Sequence, residues 1–195
     1  MKTEFEARFT NINVEGIISL IIEKNGVLIR KRGLMRRQLF DFKPGEVKMG
    51  EKKWIRVRDE SDKITLTIKH IIDKSKIDGV KETEVEVGNF ENSVELMNNI
   101  GLIAGPYQEN YREIWSLNNA VLSIDTWPGI ESFLEIEAEN EEIVNQTSLI
   151  LNLDIKTANF GNIDQLYEDK YNIDSEKFNQ IKRLDFNNYN AVLNN

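Results

Sequence analysis

Residues 2–9 read Lys2-Thr3-Glu4-Phe5-Glu6-Ala7-Arg8-Phe9, and in them charge recurs at every second position. An extended strand puts alternate side chains on opposite faces, so Glu4, Glu6 and Arg8 share one face and Phe5, Ala7 and Phe9 the other. A charged row of this kind most often faces water. The same pattern recurs along the chain, which makes the direction of these charged faces the question that decides the fold.

"KKWIRVRDES" presents Arg56 and Arg58 against Ile55 and Val57, and "DKITLTIKHI" presents Lys63, Thr65, Thr67 and Lys69 against Ile64, Leu66 and Ile68. The two form a hairpin about Glu60–Asp62. "KETEVEV" shows Glu82, Glu84 and Glu86 opposite Val85 and Val87, and "SFLEIEAE" shows Glu135 and Glu137 opposite Leu134 and Ile136. Arg112 in "QENYREIWSL" and Asp125 in "NAVLSIDTW" hold similar places, with Asn118 and Asn119 suited to the tight turn between those strands. "LMRRQLFDF" is a further strand, ended by Pro44 and Gly45. Its Arg36 and Arg37 alternate, so at most one shares a given face, and neither is assigned to the site.

Three segments have helical rather than strand spacing. They are "EGIISLIIEKNG", closed by Asn25 and Gly26, "SVELMNNIGL", closed by Gly101, and "EEIVNQTSLILNL". About eight strands with helices inserted predict an α+β protein, an antiparallel sheet closed on itself rather than a parallel βαβ array. After about residue 155, "NIDQLYEDKYNI" and "SEKFNQIKRLDF" read as short helices on the outside, and "NNYNAVLNN" as a frayed tail. Residues 1–195 are expected to form one domain, with 155–195 its helical extension.

Composition narrows the function. A net charge of −8 argues against nucleic-acid backbone binding, and the absence of cysteine excludes disulfides and thiolate metal sites. No apolar run reaches the ~18 residues of a membrane span, and the start lacks a signal-peptide pattern, so a cytoplasmic location is expected. Most arginines precede residue 60, whereas acidic residues dominate later. If the charged faces point inward, the lumen holds carboxylates and cations together, and these need one another or a ligand. A polyphosphate with divalent cations satisfies both signs: guanidinium and ammonium groups hold phosphate oxygens, and clustered carboxylates hold Mg²⁺ or Mn²⁺.

In these residues the sequence resembles the CYTH family, the triphosphate tunnel metalloenzymes, which include class IV adenylate cyclases, thiamine triphosphatases and inorganic triphosphatases. Glu4-Phe5-Glu6-Ala7-Arg8 is similar to the family's E-x-E-x-K strand, with Arg8 where lysine is usual. "WIRVRDE", "LTIKH", "KETEVEV", "YREIW" and "SIDTWPGIESFLEIE" follow in the family's order, and "GNIDQLYEDKYNI" resembles a C-terminal segment of bacterial members.

The resemblance implies an eight-stranded antiparallel closed β-barrel, a triphosphate tunnel with helices packed outside. It implies Glu4, Glu6, Glu135 and Glu137 as metal ligands for Mg²⁺ or Mn²⁺. Arg8, Arg56, Arg58, Lys69 and Arg112 would grip the triphosphate, with Glu4, Glu6 and Lys69 as the catalytic set. Glu82, Glu84 and Asp125 are assigned to a second metal or to orienting the basic residues. The expected activity is metal-dependent hydrolysis of an inorganic or small organic triphosphate. A class IV-type adenylate cyclase is the second expectation, and a non-catalytic polyphosphate-binding module, to which Arg8 lends weight because arginine is no proton acceptor, the third. The C-terminal segment is expected either to close one mouth of the tunnel or to mediate a homodimer. His70, the lone histidine, is read as a packing or surface residue, Trp54 and Trp115 as core or rim, and Trp127 as placed to touch a base or thiazole ring.

Overall fold

The computed structural model describes residues 2–47, 52–71, 80–160 and 163–193. The side chain of Glu4 lies outside the described residues. Eight long strands carry the fold: β1 (Lys2–Phe9), β2 (Val27–Asp41), β3 (Lys52–Asp59), β4 (Ile64–Ile71), β5 (Val80–Val87), β6 (Ile103–Leu117), β7 (Ala120–Thr126) and β8 (Phe133–Ala138). Two helices interrupt them, α1 (Val14–Glu23) and α2 (Phe90–Asn99), and α3 (Glu141–Ile150) follows the last. A C-terminal series follows, with α4 (Asp164–Tyr171), α5 (Ser175–Gln180), the two-residue strand β9 (Arg183–Leu184) and α6 (Tyr189–Leu193).

The sheet order is β2-β3-β4-β5-β1-β8-β7-β6, antiparallel throughout, and β2 also pairs with β6, so the circuit of pairings returns to its start. Where β6 meets β7, Asn118 (φ 51°) and Asn119 (φ 59°) adopt the left-handed conformation that a two-residue hairpin turn requires. Ser61 (φ 73°) does the same between β3 and β4.

The hydrophobic core lies outside this ring. Each of α1, α2 and α3 begins at an asparagine whose side chain accepts from the first turn: Asn13 from Gly16 at 3.0 Å, Asn89 from Asn92 at 2.8 Å and Asn140 from Ile143 at 3.0 Å. Each then buries an apolar stripe on the outer face of the sheet. Ile17 and Ile21 of α1 and Val144 of α3 pack with Ala7, Phe9, Leu122, Leu134 and Ile136. Phe90 and Met97 of α2 cover Phe40 and Val57. The apolar halves of the alternating strands are therefore used up by helices, and the charged halves turn inward.

One seam in the ring is covered by the C-terminal segment. Among the described residues β1 pairs with β5 through Lys2–Glu4, and its Phe5–Phe9 half pairs with β8. On the other side of that half, Arg8 exchanges both backbone hydrogen bonds with Asn159, at 3.0 and 2.8 Å. Beyond it, α4 and α5 bury Leu166, Tyr167 and Phe178 against Trp127, Ile130 and Phe133. Tyr167 and Tyr171 donate to the carbonyls of Pro128 and Gly129, each at 2.7 Å. The segment read from sequence as short helices on the outside thus joins the wall and includes β9, paired in parallel with β6, and the part read as a frayed tail includes α6. Among the described residues no helix is long and apolar enough to cross a membrane.

Candidate functional site

A cavity of about 610 Å³ occupies the inside of the ring. β1 contributes Glu6 and Arg8 to its lining, β3 contributes Trp54, Arg56 and Arg58, and β4 contributes Lys69. Glu82 and Glu84 come from β5, Arg112 from β6, and Glu135 and Glu137 from β8. Alternation on each strand, with its apolar residues held by the helices, puts these charges on one surface. Phe160, Ile163, Asp164, Phe178 and Asn179 of the C-terminal segment, with Trp127, supply a less charged side.

Along β1, β8, β7 and β6 the charges are matched to one another. Arg8 donates to Glu135 Oε1 from Nε at 3.0 Å and from a terminal nitrogen at 2.7 Å, and lies 3.7 Å from Glu6. Arg112 donates to the other oxygen of Glu135 at 2.7 Å and to Asp125 from two nitrogens, the Nε bond being 2.8 Å. Asn110 donates to Asp125 at 2.8 Å and accepts from Arg37. Burial by itself would raise the Glu135 carboxyl, but Arg8 and Arg112 outweigh it and bring its pKa to about 2. Asp125, fully buried, is pushed up by that burial despite Arg112, and Arg112 is in turn held well above its ordinary value.

The opposite wall carries its own set of charged pairs. Glu84 lies 3.7 Å from both Arg56 and Arg58 and accepts from Thr67 at 2.7 Å. Arg58 also meets Glu60, which accepts from Arg30 at 2.7 Å. Against burial, Arg58 and Arg30 keep the Glu60 carboxyl below its ordinary value. Lys69 and Glu82 stand 3.5 Å apart across the β4–β5 ladder.

Most residues singled out from the sequence meet at this cavity: Glu6, Arg8, Arg56, Arg58, Lys69, Glu82, Glu84, Arg112, Glu135 and Glu137 all line it. Asp125 stands behind Arg112 rather than at the surface. Glu135 is engaged by two guanidinium groups, and Glu4 cannot be placed because its side chain lies outside the described residues. His70 is half-buried and absent from the lining, and Trp115 belongs to the core under the helices. The sequence reading missed Arg37, which lines the cavity, whereas Arg36 points away to Asp59 and Glu91, each at 3.0 Å. Phe40, buried under α2, gives the even-numbered residues of this stretch to the outside, a choice the sequence does not mark because apolar residues occur at both parities.

Residues 40–157 match the family model of the CYTH domain. No curated protein matches the chain. Among solved structures, a conserved hypothetical protein from Pyrococcus furiosus is similar with a TM-score of 0.67 and 24% identity, over 84% of this chain and 99% of that one. A candidate adenylate cyclase from Vibrio parahaemolyticus has a TM-score of 0.67 at 10% identity, over 85% and 97% of the two chains. A candidate adenylyl cyclase from Hippeastrum, described as having a dominant triphosphatase activity, has a TM-score of 0.51 at 14% identity, over 86% and 94%. At these identities the three likenesses are of fold.

Proposed function

The chain belongs to the CYTH domain family, and from that premise we propose that its cavity binds an inorganic or small organic triphosphate and hydrolyses it with the help of a divalent metal ion. The observation that carries this reading is the mixed lining: guanidinium, ammonium and carboxylate groups from seven strands face one cavity of about 610 Å³. A simple anion site has no use for the carboxylates, and a simple cation site none for the arginines.

The donor set fits a hard cation. Glu6 and Glu137 are direct partners across the β1–β8 ladder and both line the cavity. Among the described residues no three His, Cys, Asp or Glu side chains converge. Mg²⁺ suits such a site, since it is commonly held by one or two carboxylates together with substrate phosphates and water. Glu6 and Glu137 would hold it, with Glu4 beside them in sequence. When bound, the ion supplies charge neutralisation at the phosphoryl oxygens and lowers the pKa of a water.

The remaining residues bind and orient. Arg56, Arg58 and Lys69 take phosphoryl oxygens on the opposite wall, where their charge stabilises the negative charge that builds up as the bond breaks. Arg112 does the same from a position fixed by Asp125. Glu135, held ionised by Arg8 and Arg112, aligns those two guanidiniums rather than exchanging protons. Arg8 stands where lysine is usual and cannot serve as a base at neutral pH.

A second reading, cyclisation of ATP, is favoured by the less charged side of the cavity. Trp127, Phe160, Ile163 and Phe178 give an organic base an apolar surface there. The test is a turnover panel with inorganic triphosphate, ATP and thiamine triphosphate, each with Mg²⁺, Mn²⁺ or a chelator, for the wild type, Glu6→Gln and Glu137→Gln. Chelator-sensitive phosphate release, lost in both variants, supports the hydrolase. Cyclic AMP with equal pyrophosphate replaces it by the cyclase, and triphosphate binding without turnover replaces it by a binding module.

A further inference from the structure

Arg37 differs from the other arginines of the cavity. Arg8 and Arg112 each lie 2.7 Å from a carboxylate oxygen, and Arg58 is paired with Glu60. Among the described residues no carboxylate forms an ion pair with Arg37. Its hydrogen bond goes to the neutral side-chain oxygen of Asn110, and its Nε is buried without a hydrogen-bond partner. Only 7% of the residue is exposed, yet it lines the cavity.

The charges nearest to it make matters worse. Arg37 pairs with Arg58 across the β2–β3 ladder. Burial first, then Arg56, Arg58 and Arg112, push its pKa well below the ordinary arginine value, with Asp125 opposing them only weakly. A guanidinium is too basic to escape this by shedding its proton at neutral pH. Nor is it free to swing toward water. Its guanidinium carbon sits 4.5 Å from the centre of the Trp127 ring, and Asn110, which fixes one edge, is itself held by Asp125 at 2.8 Å. An arginine kept for stability would have a buried carboxylate, and an arginine kept for solubility would be exposed. This one is fixed, buried and short of negative charge, which is the state of a residue awaiting an anionic ligand.

We propose that Arg37 is a phosphoryl-binding residue, held by Trp127 and Asn110 so that it meets, together with Arg58, one phosphoryl group of the bound triphosphate. The assignment rests on the reading of the cavity as a triphosphate site and adds to it a residue on β2. It has a consequence of opposite signs. Removing the Arg37 charge relieves repulsion and desolvation in the empty protein, so it raises the stability of the ligand-free fold while weakening the ligand. A purely structural residue lowers stability and leaves the ligand alone.

The experiment uses the full chain as wild type, Arg37→Gln, Arg37→Met and Arg37→Lys, with inorganic triphosphate in the presence of a chelator so that no metal contributes. Calorimetry reads the affinity and thermal unfolding reads the midpoint without ligand. The expected result is a ligand-free midpoint at or above the wild type's for the Gln and Met variants, with affinity down about tenfold or more, as loss of a charge-assisted hydrogen bond predicts. The Lys variant, which keeps the charge without the planar fork, is expected between them and the wild type. Wild-type affinity in the Gln and Met variants overturns the proposal and leaves the triphosphate reading standing. So does failure of both to fold, because the proposal requires the empty fold to tolerate loss of this charge. A wild type that binds triphosphate neither with the chelator nor with Mg²⁺ overturns both.

Discussion

Glu135 offers the sharpest test of how the site is held together. Its two oxygens accept from Arg8 at 3.0 and 2.7 Å and from Arg112 at 2.7 Å, and the residue is only 9% exposed. In Glu135→Gln the shape survives, but two buried guanidinium groups lose their shared counter-charge. Removing one partner of a buried ion pair typically costs 3–5 kcal/mol. The pKa gives a second estimate: a drop from the ordinary 4.5 to about 2 corresponds to roughly 3 kcal/mol of stability at neutral pH. Relief of the repulsion between Glu135 and Asp125 pulls the figure to the low end, about 3 kcal/mol. For a chain of 195 residues that corresponds to a fall of roughly 6–12 °C in Tm.

The pH dependence has a fixed sign. Because the folded pKa lies below the unfolded one, the Glu135 contribution is complete above about pH 5 and is lost as pH falls through 4.5 toward 2. Urea unfolding of wild type and Glu135→Gln between about pH 7 and pH 3 should show the gap between them narrowing below about pH 4.5, to less than half by about pH 3. A gap under about 1 kcal/mol at pH 7 would refute the reasoning, since the carboxylate would then not be the counter-charge of both arginines. A full-sized gap that stays flat to about pH 3 would refute it too, by removing the charge from the explanation.

Three further substitutions test other parts of the construction. Arg8→Lys replaces a two-point contact on Glu135 by a single ammonium, and urea unfolding at neutral pH should show a loss of about 1–2 kcal/mol. At Gly26 an added Cβ would stand 2.3 Å from Ile21 Cγ2 and 2.8 Å from the Ile21 carbonyl oxygen, so Gly26→Ala should cost about 1–3 kcal/mol by the same measurement. Tyr167→Phe leaves the Pro128 carbonyl without its 2.7 Å donor under a fully buried ring, and should cost about 1–2 kcal/mol, with faster proteolysis of the C-terminal segment as its local signature.

The opening alternation of Glu4, Glu6 and Arg8 gave a strand but not its orientation, because a period of two assigns residues to faces without saying which face is covered. The information that breaks the tie lies in the helices. Ile17 and Ile21, Phe90 and Met97, and Val144 form apolar stripes that need a sheet face, and only the face bearing Phe9, Phe40, Val57 or Leu134 can serve. Other features left no such trace. β2 extends back to Val27 through Arg30, Lys31 and Arg32, where charge on successive residues hides the pairing with β6. In the same strand Met35 and Leu39 alternate with Leu34 and Phe40, so apolar residues occur on both parities and the placement of Arg37 could not be read. The pairing of Arg8 with Asn159 and the two-residue β9 are too short for any period to register.

The electrostatic asymmetry of the cavity ties these points together. On the side of β1, β8, β7 and β6, acids and bases neutralise one another in a buried chain from Arg8 through Glu135, Arg112 and Asp125 to Asn110, and this side needs no ligand to be satisfied. On the side of β2 and β3, Arg37 has no carboxylate partner among the described residues, and Arg58 keeps a buried Nε without a hydrogen-bond partner there. Positive charge is thus in excess where it is most costly to leave it so, while the Glu6–Glu137 pair stands on the far strands. A lone cation would gain from Glu6 and Glu137 but be repelled from the arginine wall, and a lone anion the reverse. A triphosphate carrying its own divalent ion spans both, which is why the distribution of charge over the two walls, more than its total, favours that ligand.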